Sequence, residues 1–93
     1  AFGKANCWLT CVTFDKHTGI DPEHVRMALE KENIESRPLW KPMHLQPVFA
    51  KCEAVLNGIS EDLFKRGLCL PSGTSMSESD LDRVVECVKK SLC

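Results

Sequence analysis

The side chains best equipped for chemistry sit in one proline-punctuated stretch, Glu35-Ser-Arg-Pro-Leu-Trp-Lys-Pro-Met-His-Leu-Gln-Pro47. Arg37 offers a planar fork of donors and Lys41 a compact point charge. Trp40 is an amphipathic aromatic plate, and the His44 ring nitrogens can donate or accept. Each residue also has a plainer use: Arg37 and Lys41 as solvated surface charges, Trp40 as an anchor into the core, His44 as a ring satisfied by backbone groups in a turn. Ser72 and Thr74 read as turn and cap residues. No catalytic constellation is complete by spacing alone. The chain has no Gly-x-Ser-x-Gly, no phosphate-binding glycine loop and no Cys-x-x-Cys, and His17, His24 and Cys93 lack zinc-ligand spacing.

Six cysteines raise the question of a disulfide scaffold. Cys7 and Cys11 bracket Trp-Leu-Thr in a strand-like run, where four strand steps hold their Cα atoms ~13 Å apart, beyond disulfide reach. Cys69 lies between two leucines and Cys87 borders an apolar helical stripe, positions that suit a free cysteine acting as a small hydrophobe. Reduced, structural thiols are therefore expected in preference to disulfides or a metal site.

These residues need elements to hold them. Cys7 to Phe14 alternates as a strand with apolar groups on both faces, which predicts a buried strand. After the polar turn Asp15 to Gly19, Asp21-Pro22-Glu23 supplies an N-cap, a first-turn proline and an acid at the positive helix end. A helix is expected from Pro22 to about Glu32, with Val25, Ala28 and Leu29 facing a sheet. Prolines 38, 42 and 47 then limit regular structure to the residues before Pro38 and make the following segment a stiff loop. Such loops on rigid scaffolds commonly carry function.

Val48, Phe49, Cys52, Val55 and Leu56 have helical spacing closed by Asn57-Gly58, so by spacing alone Val48 to Leu56 could be a helix. Ser60-Glu61-Asp62 should cap a short helix that ends at Gly67, and Leu68-Cys69-Leu70 should form a short strand. A last helix begins at the Ser77-x-x-Asp80 capping signature. Its apolar stripe is Leu81, Val84, Val85, Val88 and Leu92, with Lys89 and Lys90 at the negative end.

The whole is small: 93 residues, 43% apolar and 27% charged, suited to a single domain over 1–93. Twelve Lys and Arg against thirteen Asp and Glu leave a net charge of -1, so no basic surplus exists for nucleic acid. No run approaches the ~20 apolar residues of a membrane span, and Ala-Phe-Gly-Lys-Ala-Asn lacks the apolar region of a signal peptide, which points to the cytoplasm. A chain starting at Ala1 reads as a piece of something longer.

Three strings carry a resemblance beyond composition: Glu35 to Phe49 with its Trp-Lys-Pro-Met-His-Leu-Gln-Pro, then Leu63-Phe-Lys-Arg-Gly-Leu-Cys-Leu-Pro-Ser-Gly-Thr74, then Asp80-Leu-Asp-Arg-Val84. Together they resemble the C-terminal end of the pyridoxal-phosphate-dependent sugar aminotransferases of the DegT/DnrJ/EryC1/StrS family, most of all the branch acting on nucleotide-linked 4-keto-6-deoxysugars. The strand Trp8 to Phe14 and the helix opening at Asp21 extend the likeness over nearly the whole chain, and after Phe49 the resemblance favours a loop over the helical reading of Lys51 to Leu56.

The resemblance implies an α+β fold, a small sheet with helices packed on it, like the small C-terminal domain of fold type I aminotransferases. It implies pyridoxal phosphate in the full-length enzyme, held by a large domain that supplies the Schiff-base lysine and the acidic partner. None of the eight lysines here matches that lysine's context. This piece alone is then expected to bind no cofactor and to catalyse nothing.

The intact protein would take an amino donor and a nucleotide sugar, act in cell-surface polysaccharide synthesis, and form a homodimer. On this resemblance His44, Arg37, Trp40 and Lys41 are the candidate substrate-binding residues. Arg37 and Lys41 would neutralise a diphosphate, Trp40 would stack, and His44 would make a polar contact. A non-enzymatic interaction module that keeps the fold, and a secreted disulfide mini-protein, are the alternatives.

Overall fold

The computed structural model describes residues 3–92. Cys93, weighed above as a zinc ligand, lies outside the described residues, as do Ala1 and Phe2. Six regular elements follow in the order β1 (Thr10–Thr13), α1 (Pro22–Lys31), β2 (Arg37–Pro38), α2 (Ile59–Arg66), β3 (Gly67–Leu70) and α3 (Glu78–Ser91), with 3-10 turns at Lys16–Thr18, Met43–Leu45 and Pro47–Phe49. The architecture is α+β, as expected: a three-stranded antiparallel sheet in the order β1-β3-β2 beside three helices.

The central strand is β3. Thr10 to Thr13 pair with Leu70 to Gly67 on one side, and Arg37 and Pro38 pair with Cys69 and Leu68 on the other. Pro38 sits on an edge strand, the place in a sheet where a missing donor is tolerated. Leu68 is fully buried and points toward the helical side, where Phe14, Val25, Leu29, Ile34, Val84 and Cys87 complete the core.

α1 forms for the reasons its sequence states. The Asp21 carboxylate accepts from the Glu23 N–H at 3.0 Å and Pro22 occupies the first turn. The C-terminus closes in a Schellman motif, with Asn33 left-handed at φ 59°. Asn33 N–H donates to Glu30 and Ile34 N–H to Leu29, while the Ile34 and Leu29 side chains are both buried. α3 has the full capping box: Ser77 Oγ accepts from Asp80 N–H, and the Asp80 carboxylate accepts from Ser77 N–H.

Four expectations are corrected. The first strand is shorter than Cys7 to Phe14 and lies at the sheet's edge with Cys11 exposed, because Cys7 is left-handed at φ 53° and Asn6 Oδ1 accepts from Trp8 N–H, which turns the chain before Thr10. The helix that spacing allows over Val48 to Leu56 does not form, and the loop that the resemblance favours after Phe49 does. The 3-10 turn leaves Val48 76% exposed, and beyond it the chain runs as a loop with Val55 wholly exposed, so no packing surface rewards helix nucleation there.

α2 starts at Ile59, one residue before the expected cap. Left-handed Gly58 precedes it, and Asn57 Oδ1 accepts from Ile59 N–H. On α3 the buried face is Val84 and Cys87 with Val88 partly covered, while Leu81, Val85 and Leu92 of the expected stripe are exposed. The helix docks chiefly on α1 rather than on the sheet. Cys87 Sγ donates to the Ala28 carbonyl at 3.5 Å, and the Arg83 guanidinium caps the Glu32 carbonyl at the end of α1.

Candidate functional site

The proline-stiffened stretch runs out of β2 along the sheet face opposite the helical core. Its backbone is fixed at several points. Pro38 is tied by register to Leu68, Pro42 is buried, and Gln46 Nε2 donates back to the Lys41 carbonyl at 2.9 Å. Leu39 lies directly on Gly67 at the start of β3, where any Cβ would meet it. Glycine at that position is what lets the stretch approach the sheet.

The result is a cleft of about 1010 Å³ lined by Arg37, Trp40 and Lys41 of the stretch, with Trp8, Cys69 and Ser72 across from them. Trp8 and Trp40 stand 6.2 Å apart between ring centroids and are tilted by 50°, within the centroid range of interacting aromatic pairs. Trp8 is 69% and Trp40 63% exposed, so neither anchors a core. Ser72 Oγ donates to the Trp8 carbonyl at 3.1 Å and holds the Trp8 backbone at the rim. Ser36 Oγ, also lining the cleft, is buried without a partner among the described residues.

Charge in the cleft is partly spoken for. Arg37 Nε and Nη2 both donate to Glu35 Oε1, at 2.9 and 2.6 Å. Both side chains are well exposed, and such pairs are worth only ~0–1 kcal/mol, so a stronger anion can displace the carboxylate. Lys41 makes no ion pair among the described residues.

His44 lies elsewhere. It borders a second cavity of about 390 Å³ between the 3-10 turns and the start of α2, where its Nε2 meets Glu61 Oε1 at 2.6 Å. The histidine is half-buried and its partner carboxylate sits in the first turn of α2. Thus three of the four residues singled out from sequence share a cleft, and the fourth is held in a carboxylate pair beside a different one.

Two residues that border these cavities escape sequence reasoning. Trp8 was placed inside a strand, when the Asn6 turn instead presents it to the cleft. Glu61 was read only as a capping acid, and its pairing with His44 across seventeen positions leaves no mark in local spacing.

The residues present do not fit pyridoxal phosphate. A site for it needs a sheltered lysine near an acid that faces the ring nitrogen. All eight lysines are exposed, and the cleft that Lys41 lines has Glu35 as its only acidic lining residue, already paired with Arg37. No cluster of three or more His, Cys, Asp or Glu able to hold a metal ion occurs among the described residues, and no described helix is long and apolar enough to cross a membrane. What this surface offers is an aromatic pair flanked by two cations.

Comparison with known proteins gives concordant results. The family model described as DegT/DnrJ/EryC1/StrS aminotransferase family matches residues 3–89. Over 90 residues the chain is 47% identical to a Bacillus subtilis protein named "Putative pyridoxal phosphate-dependent aminotransferase EpsN", covering 92% of this chain and 23% of that protein. It is 31% identical over 83 residues to the GDP-perosamine synthase of Caulobacter vibrioides, covering 89% of this chain and 22% of that one.

Among solved structures, "Putative sugar aminotransferase Spr1654 from Streptococcus pneumoniae, PMP-form" superposes with a TM-score of 0.73 at 20% identity, over 90% of this chain and 22% of that chain. That last likeness is one of fold. The chain spans less than a quarter of the length of the relatives it matches.

Proposed function

The chain belongs to the DegT/DnrJ/EryC1/StrS aminotransferase family, and from that premise we propose that residues 1–93 are the small C-terminal domain of a pyridoxal-phosphate-dependent enzyme that aminates a nucleotide-linked keto-deoxysugar. The observation that carries the reading is the family match over residues 3–89 in a chain spanning only 22–23% of its relatives' length. In this reading the cofactor belongs to the larger remainder. There the cofactor supplies the electron sink for amino-group transfer.

In this reading the small domain shapes the nucleotide-sugar side of the active site. Trp8 and Trp40 provide flat apolar faces for a base or sugar ring, and Arg37 and Lys41 oppose the diphosphate, the Arg37 fork exchanging Glu35 for phosphate oxygens. His44, oriented by Glu61, presents its remaining ring nitrogen as a polar contact. The exposed apolar groups Val48, Val55, Leu56 and Ile59 face the large domain or the second subunit of a homodimer. The intact enzyme works in the cytoplasm, in the supply of amino sugars for cell-surface polysaccharide.

The test is to express the whole reading frame that contains these residues. It should bind pyridoxal phosphate stoichiometrically and pass an amino group from glutamate to a nucleotide-linked 4-keto-6-deoxysugar, whereas residues 1–93 alone should do neither. A full-length product that binds no cofactor would return the chain to the alternative, a non-enzymatic module that keeps the family's fold.

A further inference from the structure

Cys11 and Cys69 are distant in sequence and adjacent in space. They are register partners in the middle of the β1–β3 ladder, and their Sγ atoms lie 3.5 Å apart as free thiols in contact. Residues directly opposite in an antiparallel pair have Cα atoms ~4.5–5.5 Å apart, inside the ~4.4–6.8 Å that a disulfide spans. Rotation of the two side chains can close the gap without moving either strand.

We propose that Cys11 and Cys69 form a dithiol site that a small-molecule disulfide of the glutathione type oxidises reversibly to an intramolecular disulfide. The two sulfurs divide the work by their surroundings. Cys11 is exposed on the edge strand and is the sulfur a reagent reaches. Cys69 is buried, and burial together with the Cys11 contact pushes its thiol up to about 11, so it is not the first of the two sulfurs to react with a reagent in solution.

The Cys11 thiolate attacks one sulfur of the small disulfide. That S–S bond breaks, and its electron pair leaves on a small thiolate that takes a proton from water. Cys69 then gives its proton to solvent and attacks Cys11 Sγ in the mixed disulfide, expelling the second small thiol. Two cysteine thiols are oxidised and one small disulfide is reduced to two thiols. The bond would pin the central strand at the residue that pairs with Arg37 on its other side and lines the tryptophan cleft. Cys7 and Cys52 are exposed as well, but neither faces another sulfur among the described residues.

The experiment incubates the reduced chain with glutathione disulfide, blocks remaining thiols with iodoacetamide and maps peptides without reduction. Expected are a Cys11–Cys69 linked peptide, a chain lighter by two hydrogen atoms, restoration by dithiothreitol, and a raised unfolding midpoint for the oxidised form. Cys11→Ser, a change at an exposed position, should abolish the link. Cys69→Ala should leave glutathione trapped on Cys11, and Cys7→Ser with Cys52→Ser should leave the link intact. A wild-type chain that keeps glutathione on Cys11 without resolving it, takes up no modification there, or forms its bond through another cysteine would overturn the proposal.

Discussion

At the scale of single residues, the question is what His44 and Arg37 do in their actual surroundings. His44 does not share the tryptophan cleft, and its ring is oriented by Glu61. On the proposed function, His44→Ala in the full-length protein should weaken kcat/KM for a nucleotide sugar by about 1 kcal/mol, the scale of one polar contact, with the fold retained. Glu61→Gln should lower it in part, and the double variant should cost less than the sum of the two, because one residue acts through the other. Steady-state kinetics on the set decides this, and additive losses would separate the two roles. Arg37→Ala should raise KM by an amount that shrinks as salt is added, since an exposed charge contact is screened over ~10 Å at 0.1 M. A loss independent of ionic strength would make Arg37 a packing residue.

At the scale of elements, two devices hold the cleft and the helical side. Gly67 lies where Leu39 meets the sheet, and a Cβ there would also approach the Leu63 carbonyl oxygen to 2.7 Å. That atom is backbone and cannot swing aside. Gly67→Ala should cost roughly 1–3 kcal/mol as overpacking, read as a lower urea midpoint with unchanged slope.

The α3 cap gives a different signature. Ser77→Ala should cost about 1 kcal/mol. The Asp80 carboxyl is held below its ordinary value of 3.8, first by the Ser77 backbone N–H, then by the Ser77 side chain, with Arg83 adding its charge. A depressed folded value means that the contribution is complete above the ordinary carboxylate range and disappears as pH falls through the folded value. Thermal melts from neutral pH downward should therefore show wild type and Asp80→Asn converging in acid, and a constant gap between them would exclude the cap as the cause.

At the scale of the whole molecule, a narrow core supports a broad exposed apolar surface. Leu29, Val25 and Leu68 are almost wholly buried, while Trp8, Trp40, Val48, Val55, Leu56 and Ile59 are each more than half exposed. Domains of this size have total stability of only about 5–15 kcal/mol. Leu29→Ala, which empties the contact between α1 and the rest of the core, should remove about 2–5 kcal/mol of it. Denaturant unfolding followed by tryptophan fluorescence, with Trp8 and Trp40 as reporters, checks this. A change below 1 kcal/mol would mean that α1 is held mainly by its caps and the Arg83 contact.

The sequence alone determined what local physics controls. α1 and α3 were legible because Asp21-Pro22 and Ser77-x-x-Asp80 satisfy orphan backbone donors within a few residues, and the family strings marked the stretch from Glu35 to Pro47 as the region of interest. Tertiary structure decided the rest, because each remaining choice depended on partners far along the chain. The exposed stripe residues of α3 could be told from buried ones only once α1 was its neighbour, and Val48 to Leu56 has helical spacing but nothing to pack on. Trp8 reached the cleft through an Asn6 turn and Ser72, and His44 was drawn away from it to Glu61. Cys11 met Cys69 by strand register alone. Spacing records which residues share a face of one element, whereas contact between faces is fixed only when the elements find each other.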